Sequence, residues 1–473
     1  MTNPGRNEPT VIELAESVRR GERKAVEVVD EYLGRIAEGN ERLNAFVHLD
    51  ADLAHGAASS VDEAVARGDD PGPLAGVPFG VKDLEHCIGM PTTFGSIPFA
   101  GRGPETRDSL NVARLRAAGA VPVGKTASPE FGTLNFTKTK VFGITRNPWD
   151  VTKTPGGSSG GSSSAVAAGI IPFGTASDGG GSIRIPASFT GLVGHKPSHG
   201  RIPHPEPTSN QTSVSGSLTT TVVDTARILD ALAGPDDRDR TSLPASGIRY
   251  EDAIESTDVR GLRARWSLDY GFAVVDPEVA EIAEASARAL ADAAGLELDE
   301  KPIELTDPIR AWLTTGALSM WLDIEPDMWP ARADDFTLYV RRSLEQTEGT
   351  TLKKYARSVL AREQLEYDCA RIFEEVDILL SPTTAVPAFA AEGPPPSVIN
   401  GVELSTPAMS TPFTMLANLC WNPATSVPAG LTSDGLPVGL QIMGRRHRDE
   451  VPLRLARIFE QTRPWPRFAN STQ

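Results

Sequence analysis

Between residues 156 and 164 the chain contains only glycine and serine, Gly-Gly-Ser-Ser-Gly-Gly-Ser-Ser-Ser. Such a run admits two opposite readings. As a flexible linker it would divide the 473 residues into separate bodies. As an ordered loop it requires one large domain to close around it. Ordered pattern on both flanks, an apolar helical stretch at 165–168 directly behind it, and a second glycine cluster ending in Ser182 favour the loop. No Gly-Lys-Ser/Thr follows, so a phosphate cradle is excluded. Gly157-Ser158-Ser159-Gly160-Gly161 fits the G-x-S-x-G elbow, but the loop-like residues 147–153 stand where an apolar strand should lead in.

Helical periodicity runs over residues 11–20, 25–37, 51–68, 110–118, 222–232, 280–294 and 352–376, most of these closed by glycine. Short apolar stretches at 76–83, 120–124 and 170–173 read as strands. Helix followed by strand, repeated, is the signature of an α/β domain. The net charge of −16 argues against nucleic-acid or anionic-membrane partners. Apolar runs fall short of a membrane span, and residues 1–9 lack an apolar signal core, so the expected location is cytoplasmic. Cys87, Cys369 and Cys420 are odd in number and lack metal-ligand spacing. They read as buried small hydrophobes, with no zinc site and no disulfide framework.

The Gly/Ser run followed by Ser177-Asp178-Gly179-Gly180-Gly181-Ser182-Ile183-Arg184-Ile185-Pro186-Ala187 resembles the signature segment of the amidase signature family. Leu74-Ala75-Gly76-Val77-Pro78 leading to Val81-Lys82-Asp83, then Thr92-Thr93-Phe94-Gly95-Ser96, Thr145-Arg146-Asn147-Pro148-Trp149-Asp150 and Gly435-Leu436-Pro437-Val438-Gly439-Leu440-Gln441 extend the resemblance over nearly the whole chain. It implies an α/β fold with a large mixed sheet covered by helices on both faces. An N-terminal helical segment (1–70) would pack on a signature domain (71–473) with a variable substrate-facing stretch near 305–410. By motif position it implies a catalytic set of Lys82, Ser158 and Ser182, with a cis peptide bond before Ser158. It calls for no metal or organic cofactor, and homodimerisation follows the family's habit.

The chemistry of these residue types agrees. A serine hydroxyl must lose its proton as it attacks. A lysine accepts that proton only when burial lowers its pKa from about 10.4 toward about 7–8. Asp83 beside Lys82 opposes that shift unless it points to the other face. A second hydroxyl, which donates and accepts at once, can relay the proton. Gly179, Gly180, Gly181 and Ser182 offer unobstructed backbone N–H groups for an oxyanion hole. The family usually carries a side chain at position 179, so the third glycine departs from it and gives the loop added freedom. The resemblance implies that Asp178 and Arg184 brace this loop, and that Gly157 and Ser159 support Ser158. His195, His199, His204 and His447 would serve a Ser-His-Asp set, but a lysine base leaves them structural.

Tryptophans gather in the variable stretch, and Phe94, Ile97, Trp321 and Trp421 are the expected lining of an apolar pocket for aryl or acyl groups. The expected reaction is hydrolysis of small-molecule amides through an acyl-enzyme, with esters and carbamates on the same route. Two rivals stand beside it: the glutamine-hydrolysing component of a tRNA-dependent amidotransferase, and an inactive binding relative.

Overall fold

The computed structural model describes residues 8–208 and 210–469, so most of the leader read for targeting lies outside the described residues. Its centre is an eleven-stranded sheet. In chain order the strands are β1 (Phe46–Leu49), β2 (Pro78–Lys82), β3 (Val121–Thr126), β4 (Phe173–Asp178), β5 (Val193–Lys196), β6 (Val214–Thr219), β7 (Arg263–Trp266), β8 (Glu297–Asp299), β9 (Ile378–Pro382), β10 (Ala424–Leu431) and β11 (Pro437–Gly444). Across the sheet they run β1-β3-β2-β4-β6-β5-β10-β11-β9-β7-β8. β2 is parallel to both β3 and β4, and β9 is parallel to β7; β4, β6, β5, β10 and β11 follow one another antiparallel. The sheet is therefore mixed, as expected.

Strand alternation divides the core. Ile378 and Leu380 of β9 enter one apolar cluster and Leu379 enters another, so the two lie on opposite faces. The first cluster takes in the helices Ala25–Leu43, Val222–Leu232, Pro277–Ala294 and Glu450–Thr462; the second takes in Leu352–Glu375 and Met415–Leu419. Helices thus cover both faces, and central strands buried on both sides read as near-continuous apolar runs. No helix among the described residues is long and apolar enough to cross a membrane.

Three local differences from the sequence reading bear on the site. The segment 1–70 is not purely helical, because Phe46–Leu49 leaves its helices to pair with β3 at the sheet edge. The helix after the Gly/Ser run begins inside it, at Gly160–Ala167, and every residue in it is buried; the small side chains allow that close packing. β4 starts at Phe173 instead of residue 170 and runs through Ser177 to Asp178. Its polar sequence has little strand periodicity, but β2 on one side and β6 on the other satisfy its backbone.

Candidate active site

Lys82 closes β2 with a fully buried side chain. Its Nζ lies 2.8 Å from Ser158 Oγ, 2.8 Å from Ser159 Oγ and 2.9 Å from Ser177 Oγ. Its backbone N–H donates to Thr175 Oγ1 at 2.8 Å, tying β2 to β4. Burial, opposed by the charges of Glu85 and Asp178, brings the amine down to about 7. A neutral amine keeps one lone pair, so one of the three surrounding hydroxyls can donate to it while the others accept. Asp83 turns away: its carboxylate accepts from the Thr93 N–H at 3.1 Å and the Thr93 hydroxyl, and sits 3.7 Å from Lys125 Nζ. The peptide bond between Gly157 and Ser158 is cis.

Ser158, Ser177 and Ser182 share the wall of one cleft of about 200 Å³. A second lobe of about 370 Å³ opens on the other side and also reaches Ser182, Gly180 and Trp312. Ser158 and the Ser177–Ser182 segment therefore meet at one cavity, and Lys82 joins it from behind through Ser158 and Ser177. Ser177 carries no individual role in the sequence reading although it stands in the quoted motif. Only the pairing of β4 with β2 brings its hydroxyl to Lys82.

The glycine loop is held from behind. Asp178 and Arg184 are fully buried and joined twice, Arg184 Nε to Oδ2 at 2.9 Å and Nη2 to Oδ1 at 2.9 Å. Burial alone would raise the Asp178 carboxyl, but Arg184, with Lys196 and Asn418, brings it down to about 2. Arg184 also donates to Gln441 Oε1 at 2.7 Å and Asn418 Oδ1 at 2.6 Å, and Asn418 Nδ2 returns to the Asp178 carbonyl at 2.8 Å. Gln441 closes the Gly435–Gln441 motif without a role being read for it, and Asn418 had no local sequence signal; both come from elements hundreds of residues away.

The candidate oxyanion donors are fewer than the sequence suggests. The Gly181 N–H is committed to Asp178 Oδ1 at 2.6 Å, and Gly181 does not line the cleft, whereas Gly179, Gly180 and Ser182 do. Gly181 has φ +131°, and a Cβ there would come within 2.3 Å of Thr414 Oγ1. At Gly179 the nearest atom is the Ser213 hydroxyl at 3.0 Å, a side-chain end that can rotate aside. Gly181→Ala should therefore cost about 1–3 kcal/mol of stability and most of the activity, and Gly179→Ala should stay within about 0.5 kcal/mol of the parent. Guanidinium titration of the two variants checks the contrast.

The aromatic lining needs correction. Phe94 packs among Phe99 and Phe131, at 5.3 Å from the first ring and 6.1 Å from the second. Ile97 begins a short 3-10 turn (Ile97–Phe99) beside that group. Trp321 packs edge-on against Trp329 and donates to Thr347 Oγ1 at 2.8 Å. Trp421 stacks on His199 at 4.4 Å and donates to the Gln211 carbonyl at 2.7 Å. None of the four lines either lobe; Phe131 and Trp312 do. Motif proximity misled here, because each of the four fills a neighbouring apolar cluster or caps a loop. No histidine lines the cleft either. His195 is buried, with Nδ1 2.8 Å from Thr425 Oγ1. Cys87, Cys369 and Cys420 are buried free thiols, as read from the sequence.

The fold and this site place the chain in the class of amide-hydrolysing α/β enzymes. The family described as Amidase matches residues 27–453, and the chain belongs to that family. It is 35% identical to an acylamidase of Rhodococcus erythropolis over 96% of this chain and 95% of the relative. It is 34% identical to the A component of the glutamyl-tRNA(Gln) amidotransferase of Geobacillus thermodenitrificans, over 96% of each chain. The fold is similar to the crystal structure of a bacterial aryl acylamidase of the amidase signature family, with TM-score 0.92, 29% identity, and 98% of this chain and 99% of that one covered.

Proposed function

We propose that the protein hydrolyses apolar aryl or acyl amides through an acyl-enzyme on Ser182, with Lys82 as base and Ser158 as relay. The contact of a buried amine, brought down to about 7, with Ser158 at 2.8 Å carries this reading. As Ser182 Oγ attacks the carbonyl carbon, its proton passes to Ser158 while Ser158 passes its own to Lys82 Nζ. Amide donors of the Gly179–Ser182 loop other than that of Gly181 receive the developing oxyanion. The proton then returns through Ser158 to the leaving nitrogen, the C–N bond breaks, and water repeats the sequence to release the acid. Ester and carbamate bonds enter the same route. Phe136, Ile185, Tyr339 and Met415 give the larger lobe an apolar wall suited to the acyl group.

The test is turnover of an acyl nitroanilide panel across pH. Because Lys82 is lowered to about 7 and must be neutral, kcat/KM should fall about tenfold per unit below pH 7 and level off above it. A profile that stays flat from about pH 5 to 9 rejects the amine base. Similarity to an amidotransferase component favours a second reading, glutamine hydrolysis within a complex; a glutaminase assay with and without partner proteins separates the two.

A further inference from the structure

Resting on the reaction just proposed, the geometry points to Asp323 as a specificity residue that receives a cationic nitrogen on the amine half of the substrate, making N-monoacylated diamines a preferred class. The two lobes meeting at Ser182 are not equivalent. Ser158 lines the first, whereas the second is reached by Gly157. The group that hands a proton to the departing nitrogen must stand beside it. The leaving amine therefore occupies the first lobe and the acyl group the second.

The first lobe is lined by Leu84, Phe131, Trp312 and Met320 together with neutral polar side chains such as Thr133, Asn210 and Ser343, and Asp323 is the one charged residue in its wall. Asp323 follows the 3-10 turn Met320–Leu322, and its backbone N–H donates to the Met320 carbonyl at 3.0 Å. Among the described residues its carboxylate enters no ion pair within 4 Å. Arg102, the cation that acts on it, is held by Glu325 at 2.5 Å and lies over the Phe99 ring. The other charge acting on it, Glu206, is repulsive. Asp323 is exposed to solvent at the cleft, so a substrate can reach it; partial desolvation raises its carboxyl against the pull of Arg102. A single carboxylate in a lobe whose other lining is neutral, with the rings of Phe131 and Trp312 in the same wall, suits a hydrocarbon spacer ending in an ammonium group. The ring faces add to that attraction.

The test compares two anilides of one acyl group, made from 4-(aminomethyl)aniline and from 4-ethylaniline. They differ by an ammonium in place of a methyl group. Wild type should show kcat/KM about threefold to fivefold higher for the ammonium anilide, the upper range of one solvent-exposed charge pair. Asp323→Asn should bring the ratio to about one while holding the ethyl anilide within about twofold, and Asp323→Glu should restore part of the preference. Equal rates in wild type, a preference that survives Asp323→Asn, or a variant that loses both substrates alike would each overturn the assignment. Absence of turnover on either anilide by wild type would instead strike the amidase reading beneath it.

Discussion

Ser182→Ala should lower kcat on every amide and ester substrate by about 10⁴–10⁶-fold and abolish the acyl-enzyme. Ser182 lines both lobes of the cleft and shares the first with Ser158, one of three hydroxyls in contact with the buried amine. Trapping wild type with a fluorophosphonate and digesting it should leave the label on residue 182. A label elsewhere, or a variant with residual activity above about 1% of the parent, would refute the assignment. Ser158→Ala should lose less, about 10²–10⁴-fold, since a water molecule can enter the vacated space and carry the proton. Equal losses for the two serines would argue against a relay and for a nucleophile of two inseparable parts.

Asp178→Asn carries the largest expected cost in stability. The change preserves shape yet leaves Arg184, with no exposed surface, facing an amide where a carboxylate stood. Breaking one partner of a buried pair costs about 3–5 kcal/mol. The Gly181 and Ile183 amides, which donate to this carboxylate at 2.6 and 3.2 Å, would lose their charged acceptor. Guanidinium unfolding should show the midpoint fall, and activity should fall with it as the nucleophile's loop loosens. The double variant Asp178→Asn/Arg184→Gln should recover part of the lost stability because no buried charge remains unpaired. A single variant as stable as the parent would show that the pair is dispensable.

The catalytic candidates were legible because they sit in short motifs whose residue types already state their chemistry. A lysine at the end of an apolar strand and serines among glycines need little context. The helices were legible as well: the capped stretch Val222–Leu232 and the long Leu352–Glu375 both form. What remained hidden depends on contacts between distant parts of the chain. β4 is too polar to read as a strand until β2 and β6 flank it. Ser177 became a Lys82 partner, and Gly181 lost its place among the oxyanion donors, only through side chains delivered by the fold. The pocket failed for a related reason. An aromatic residue near a motif is as able to fill the adjacent core as to face the substrate, and Phe94, Trp321 and Trp421 fill.

Trp312 joins two parts of the molecule that are usually imagined as interchangeable. It rises from the helix Ile309–Ser319 in the variable stretch, donates its indole N–H to the Gly179 carbonyl at 2.7 Å, and occupies the space within 2.5 Å of where a Cβ on Gly180 would lie. Breadth of selectivity and speed of reaction are consequently inherited as one trait. Transplanting that helix from a relative to broaden the substrate range would also unclip the backbone that carries the proposed nucleophile, unless the indole travels with it.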